Sequence, residues 1–154
     1  MALKAASLRV ADVSDLPVKN ADGSPLRDPD TGAPITATVF GPGTKVWQAA
    51  NATKQRKAVK RSREANGKFE AALDFKEEDT VEFLCAITKR FNGLDCEDEH
   101  GNNIQDEREN VRAVYSDPLL GFIRDHMETD VSSWENFMKA SQSLSNSGSA
   151  SSPG

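Results

Sequence analysis

The sequence predicts a mainly α protein: a small N-terminal β-hairpin or meander, then about four helices, then a disordered tail rich in Ser and Gly. Three observations predict it. Turn signals and β-branched residues crowd the first forty positions and then stop. From Thr44 onward, apolar residues recur at steps of three and four between recognisable caps and breakers. Hydrophobic residues make up 37 % and charged residues 28 % of the 154, which is polar for a globular chain yet too rich in Leu, Val, Ile, Phe and Trp for a wholly disordered one. The expected organisation is a partly ordered segment 1–13, one domain over 14–141 with the hairpin in 14–40, and a tail 142–154.

The strand region comes first. Leu16-Pro17-Val18-Lys19 precedes Asp22-Gly23-Ser24-Pro25, where Asp-Gly is a strong turn signal, and a second turn cluster runs from Asp28 to Pro34. Ile35-Thr36-Ala37-Thr38-Val39-Phe40 is then apolar at alternate positions and ends at Gly41-Pro42-Gly43. Prolines confine such strands to sheet edges. A hairpin of this size must lean on helices to be stable.

Thr44 caps an expected helix over 44–65, stopped by Asn66-Gly67, with a thin apolar face of Val46, Trp47, Ala50, Ala58 and Val59. A second helix is expected over 75–91. It opens on the capping-box pattern Asp74 to Glu77, carries Phe83, Leu84, Ile87 and Phe91 at helical spacing, and closes at Asn92-Gly93. After a polar, acidic loop over 95–103, a third helix spans 104–116 with Ile104, Val111, Val114 and Tyr115 inward. Asp117-Pro118 caps and starts a fourth over 118–140, whose stripe is Leu120, Ile123, Met127, Val131, Trp134 and Met138. The predicted core is Phe83, Leu84, Ile87, Phe91, Val111, Tyr115, Leu120, Ile123 and Met127.

Bulk properties narrow the function. No stretch approaches the roughly 20 apolar residues that span a bilayer, and Met1 to Ser7 lacks an apolar stretch of signal-peptide length. With only Cys85 and Cys96 there is no disulfide framework, in keeping with a reducing, cytosolic compartment. The net charge of −5 hides an asymmetry: residues 1–63 hold 11 basic and 5 acidic side chains, and residues 64–154 hold 8 and 19. Regions of opposite sign are a basis for self-association or for a charged partner.

Chemical motifs are sparse. Cys85, Cys96 and His100 lack the fourth ligand that structural zinc wants, and the acidic run 95–99 lacks the alternation of a calcium loop. His100 and His126 lie near no nucleophile motif, and no phosphate-cradling glycine loop carries its lysine. The expectation is a protein that is not an enzyme and holds no cofactor or metal. The run Lys54 to Arg63 holds six cations and no acid; such a run suits phosphates, a solvated face or an acidic protein. The absence of interleaved aromatics and the acidic whole disfavour nucleic acid. Lys57, Lys60 and Arg61 on this run, with Trp134 and Phe137 near the end of the fourth helix, are the residues expected to bind a partner.

Several stretches are familiar in their order: Leu16-Pro17-Val18, Asp22 to Leu26, Thr38 to Gly43 opening a helix, Phe91-Asn92-Gly93-Leu94, Val114 to Ile123, and Trp134 to Ser141. Together they resemble the tail assembly chaperones of long-tailed bacteriophages and prophages, in short blocks across most of 14–141. The resemblance implies a largely helical, non-enzymatic factor of the host cytoplasm. It would bind the tape-measure protein, help recruit tail-tube subunits, and be absent from the finished virion. In several such families a translational frameshift appends a second domain to a fraction of the molecules, and this chain resembles the shorter form. The alternatives are a head–tail joining or tail-completion protein of the virion, and a nucleic-acid-binding regulator using residues 54–63.

Overall fold

The computed structural model describes residues 2–64 and 76–139. A short 3₁₀ turn, Ala5–Leu8, leads into β1 (Val13–Pro17), β2 (Thr36–Phe40) and helix α1 (Lys45–Glu64). Helix α2 (Lys76–Ile87) runs directly into β3 (Thr88–Asn92). Helices α3 (Glu107–Ser116) and α4 (Gly121–Asp130) follow, with 3₁₀ turns at Pro118–Leu120 and Trp134–Phe137. The stop at Asn66-Gly67, the Asp74 half of the capping box and the tail 142–154 lie outside the described residues.

The strands form one antiparallel sheet in the order β1-β2-β3. Pro17 sits at the end of β1 opposite Thr36, on an edge strand that tolerates the missing N–H. Between β1 and β2 the chain folds twice more. Val18 N–H donates to Ile35 O at 3.0 Å, Leu26 N–H to Val18 O at 2.8 Å and Ile35 N–H to Leu26 O at 3.0 Å. Gly23 and Gly32 turn these excursions with φ of 88° and 72°, values that only glycine adopts without strain. Asp22 and Asp28 accept the local hydrogen bonds of the two turns, from Ser24 in one and from the Asp30 and Thr31 N–H groups in the other.

The expectation of a mainly α fold is corrected. The protein is α+β, and the third strand comes from residues read as the end of a helix over 75–91. Helix α2 ends at Ile87, where Arg108 of α3 donates to Thr88 O at 2.9 Å and to Cys85 O at 2.8 Å. These bonds satisfy carbonyls that the helix no longer can. The register of β3 against β2 then shifts, Thr38 opposing Arg90 and Val39 opposing Thr88, so that Lys89 is bulged out. Lys89 and Arg90 both face solvent while Thr88 and Phe91 are buried. Two buried residues three apart in a bulged strand look like a helical repeat.

The fourth helix is shorter than the expected 118–140. Asp117 caps the Pro118 turn as expected, accepting from Leu119 N–H at 2.9 Å, but α4 stops at Asp130. Val131 caps it, and Ser132-Ser133 leads to a separate 3₁₀ turn. The third helix starts at Glu107, not Ile104, because Asp106 accepts from Glu109 N–H at 2.9 Å and fixes the start there.

The inner face of the sheet contributes Leu16, Ala37, Val39 and Phe91 to a core completed by Leu84, Ile87, Val111, Val114, Tyr115, Ile123, Met127, Val131 and Phe137. Tyr115 donates to or accepts from Thr88 Oγ1 at 2.9 Å with both groups fully buried, and burial pushes its phenol pKa up. The phenol therefore stays neutral. Of the predicted core residues only Leu120 is half-buried, packed at the margin.

Candidate partner-binding surfaces

The groups with chemical potential are occupied structurally. Cys85 is buried and Cys96 half-buried, and burial pushes both thiols above their ordinary pKa; neither is an activated thiolate. The acidic stretch 95–103 is a closed hairpin. Asp98 accepts from the N–H groups of His100 and Asn102, Gly101 turns the tip, and Cys96 N–H donates to the buried Asn110 at 2.7 Å. Asn110 Nδ2 donates to Leu94 O at 2.9 Å. His100 is exposed beside Glu99, and His126 lies half-buried on α4. Among the described residues no group of three His, Cys, Asp or Glu is placed to hold a metal ion.

Two surfaces among the described residues combine exposed apolar and polar groups. The first is α1. Thr44 caps it, accepting from Trp47 N–H at 3.2 Å, and the helix continues for 20 residues without burying one. One stripe faces α2. Trp47 packs edge-on against Phe83 with ring centroids 5.5 Å apart and donates Nε1–H to Val131 O at 3.2 Å. Lys54 lies 5.3 Å over the same Phe83 ring and 3.4 Å from Glu128. Arg61 pairs with the buried Asp79. The opposite stripe carries Gln55, Arg56, Val59, Lys60 and Arg63, all exposed, with Val59 at 51 %.

This divides the predicted basic residues. Lys60 points outward, near Glu64 at 3.9 Å. Lys57 is half-buried beside Glu82 in a cavity of about 180 Å³ between α1 and α2, which Asp79 and Phe83 also line. Arg61 is turned inward and holds α1 to the fold. Arg56 and Arg63 stand out only in the structure, because spacing along the basic run does not say which side of a helix meets its neighbour.

The second surface is the corner where Trp134 meets the N-terminal segment. Trp134 is 56 % exposed, and its ring lies over Gly43, with Cζ3 3.5 Å from where a Cβ would sit. Leu8, Val10, Ala11 and Asp12 complete a depression of about 350 Å³ beside it. Leu8 is 59 % exposed; the sequence gives no sign of it, since an isolated leucine carries no periodic signal. Phe137, grouped with Trp134 as an expected binding residue, has no exposed surface. Its ring would lie 2.9 Å from a Cβ at Gly41, so Phe137 is core and Trp134 alone is available.

No protein-family model, no curated protein and no solved structure matches this chain. Among the described residues no helix is long and apolar enough to cross a membrane.

Proposed function

We propose that this protein is a non-enzymatic assembly factor, a tail assembly chaperone of a long-tailed bacteriophage or prophage. It works in the host cytoplasm, binds the tape-measure protein, helps recruit tail-tube subunits and leaves before the virion is complete. The observation that carries a binding role is α1: a 20-residue helix with no buried residue and a cationic, valine-centred outer stripe. The block resemblance across 14–141 supplies the identity of the client. A long helical client with an apolar seam aggregates unless covered, and a cover that must later be released needs a polar, charged rim around a few anchors. Arg56, Lys60 and Arg63 suit the rim, and Trp134 with Leu8 suits an anchor.

The test is the soluble yield of the tape-measure protein expressed with and without this chain, together with mass spectrometry of purified virions. Higher yield with the chain present, and its absence from virions, is the expected result. Equal yields with stoichiometric presence in virions would overturn the chaperone reading in favour of a structural head–tail or tail-completion component. Trp134→Ala is expected to weaken capture at every salt concentration while leaving the fold intact, because the side chain is more than half exposed.

A further inference from the structure

We infer that the outer stripe of α1 is a dock for an acidic amphipathic helix, a contact that deepens the proposed function and rests on it for the partner's identity. The stripe consists of Arg56, Val59, Lys60 and Arg63, with Ala52 and Gln55 completing it. These positions recur at three- and four-residue steps on the side away from α2, so they form one continuous strip.

Three features identify the occupant. The first is charge. Arg56 and Lys60 are four apart and Lys60 and Arg63 three apart, spacings at which like charges repel along a helix. The α1 sequence offers one acid, Glu64, at its very end. Carboxylates from a partner relieve that repulsion, and the energy released on binding is greatest where the cations are closest together. The second is Val59, half-exposed between the cations. An aliphatic side chain in the middle of a charged strip matches an apolar seam with acids on both flanks, and a phosphate backbone has no use for it. The third is the absence of any aromatic residue on the strip to stack a base. With the chain at a net −5, long-range attraction to a polyanion such as DNA is opposed by the rest of the molecule, whereas a short acidic helix meets only the local field. Arg61 takes no part, since it serves the Asp79 pair on the other side.

The experiment uses the full chain and two synthetic probes: a helical peptide with a leucine seam flanked by glutamates, and the same peptide with every glutamate changed to lysine. Fluorescence anisotropy is followed as a function of salt, with random-sequence duplex DNA as a third probe. The acidic peptide is expected to bind, its affinity falling as salt rises, and the lysine peptide not to bind. The combined variant Arg56→Glu, Lys60→Glu, Arg63→Glu is expected to bind the acidic peptide at least about tenfold more weakly at low salt. Val59→Asp weakens it at all salts. The neutral set Arg56→Gln, Lys60→Gln, Arg63→Gln falls between, and all variants keep the far-UV circular dichroism and thermal midpoint of the parent because the residues are exposed. Indifference of the peptide to the triple reversal, equal binding of both peptides, or tighter binding of DNA with the same sensitivity would overturn the inference. Co-expression separates this from the functional reading. A tape-measure yield that the parent and the triple variant raise equally removes the α1 dock and leaves the chaperone function standing. No effect of the parent on yield removes the chaperone function, and the peptide titrations still decide the dock.

Discussion

Seven of the twelve residues of α2 are buried, whereas none of the twenty in α1 is, although the two helices lie side by side. Helix α2 is stable because its apolar face has water on neither side: the sheet, α3 and α4 cover it. Helix α1 is built differently. Its residues are good helix formers, rich in Lys, Arg, Gln and Ala. A threonine caps its start, and it touches the rest of the fold through Trp47 and Ala50 at the core margin, Lys54 over the Phe83 ring and beside Glu128, and the Arg61–Asp79 pair. A helix so attached contributes little to the core and keeps most of its surface. The lesson is that order and burial separate here, and the ordered but unburied element is the one whose outer stripe is proposed above as a binding surface.

The contrast can be broken by mutation, beginning with α2. Ile87→Ala removes a fully buried side chain and is expected to cost about 2–5 kcal/mol, lowering the midpoint of urea unfolding for the whole protein. An unchanged midpoint would mean that α2 is no more central than α1. Tyr115→Phe leaves Thr88 Oγ1 buried without its 2.9 Å partner and is expected to cost about 1–3 kcal/mol. The double variant with Thr88→Val recovers part of the loss if the hydroxyl pair is the cause.

On the other side of the comparison, Thr44→Ala deletes the cap of α1 at a cost of about 1 kcal/mol. Amide exchange should quicken in the first turn of α1 and stay unchanged in α2 and β3. Equal acceleration in both would show that α1 and the core open as one unit. The smallest effect concerns the Glu82–Arg112 pair, at 2.6 Å and largely exposed. Arg112's hydrogen bond holds the Glu82 carboxyl below its ordinary pKa of 4.5. A depressed carboxyl stabilises the fold above its unfolded pKa and loses that contribution as pH falls through the folded value. Glu82→Gln should therefore cost about 0.2–1 kcal/mol near neutrality, and the difference from the parent should vanish in acid below the ordinary carboxylate range.

Much of this fold is legible in sequence where a local signal and the tertiary structure agree. The Asp22-Gly23 turn, the Thr44 cap and the Asp117-Pro118 start are each a chemical instruction read over a few residues. Two elements are misread for one reason: periodicity records which residues are buried, not by which backbone. The bulge at Lys89 brings Thr88 and Phe91 to one face of a strand at a spacing of three, which continues the rhythm of Phe83, Leu84 and Ile87. Beyond Met127, the steps to Val131 and Trp134 keep the rhythm of α4 after the helix has ended. The residues expected to bind a partner divide similarly. A basic run is plain in the sequence, but only packing against α2 reveals that Arg61 is internal and Arg56 and Arg63 external. Trp134 and Phe137, three apart in one 3₁₀ turn, share a side of it, yet Phe137 is buried against Gly41 while Trp134 lies over Gly43 at the surface.

Ala11 N–H donates to Phe137 O at 2.7 Å, and Gly41 N–H donates to Asp12 O at 2.8 Å, with the Phe137 ring set against Gly41. The two extremities of the described chain thus meet at one clasp. A tensile load applied between them would bear on this clasp, which continues the pairing of β1 with β2 beyond Val13 and Phe40. Its failure would free the N-terminal segment and the Trp134 turn together and draw the buried Phe137 ring out of the core, so the stability of the interior and the hold on both extremities are one and the same.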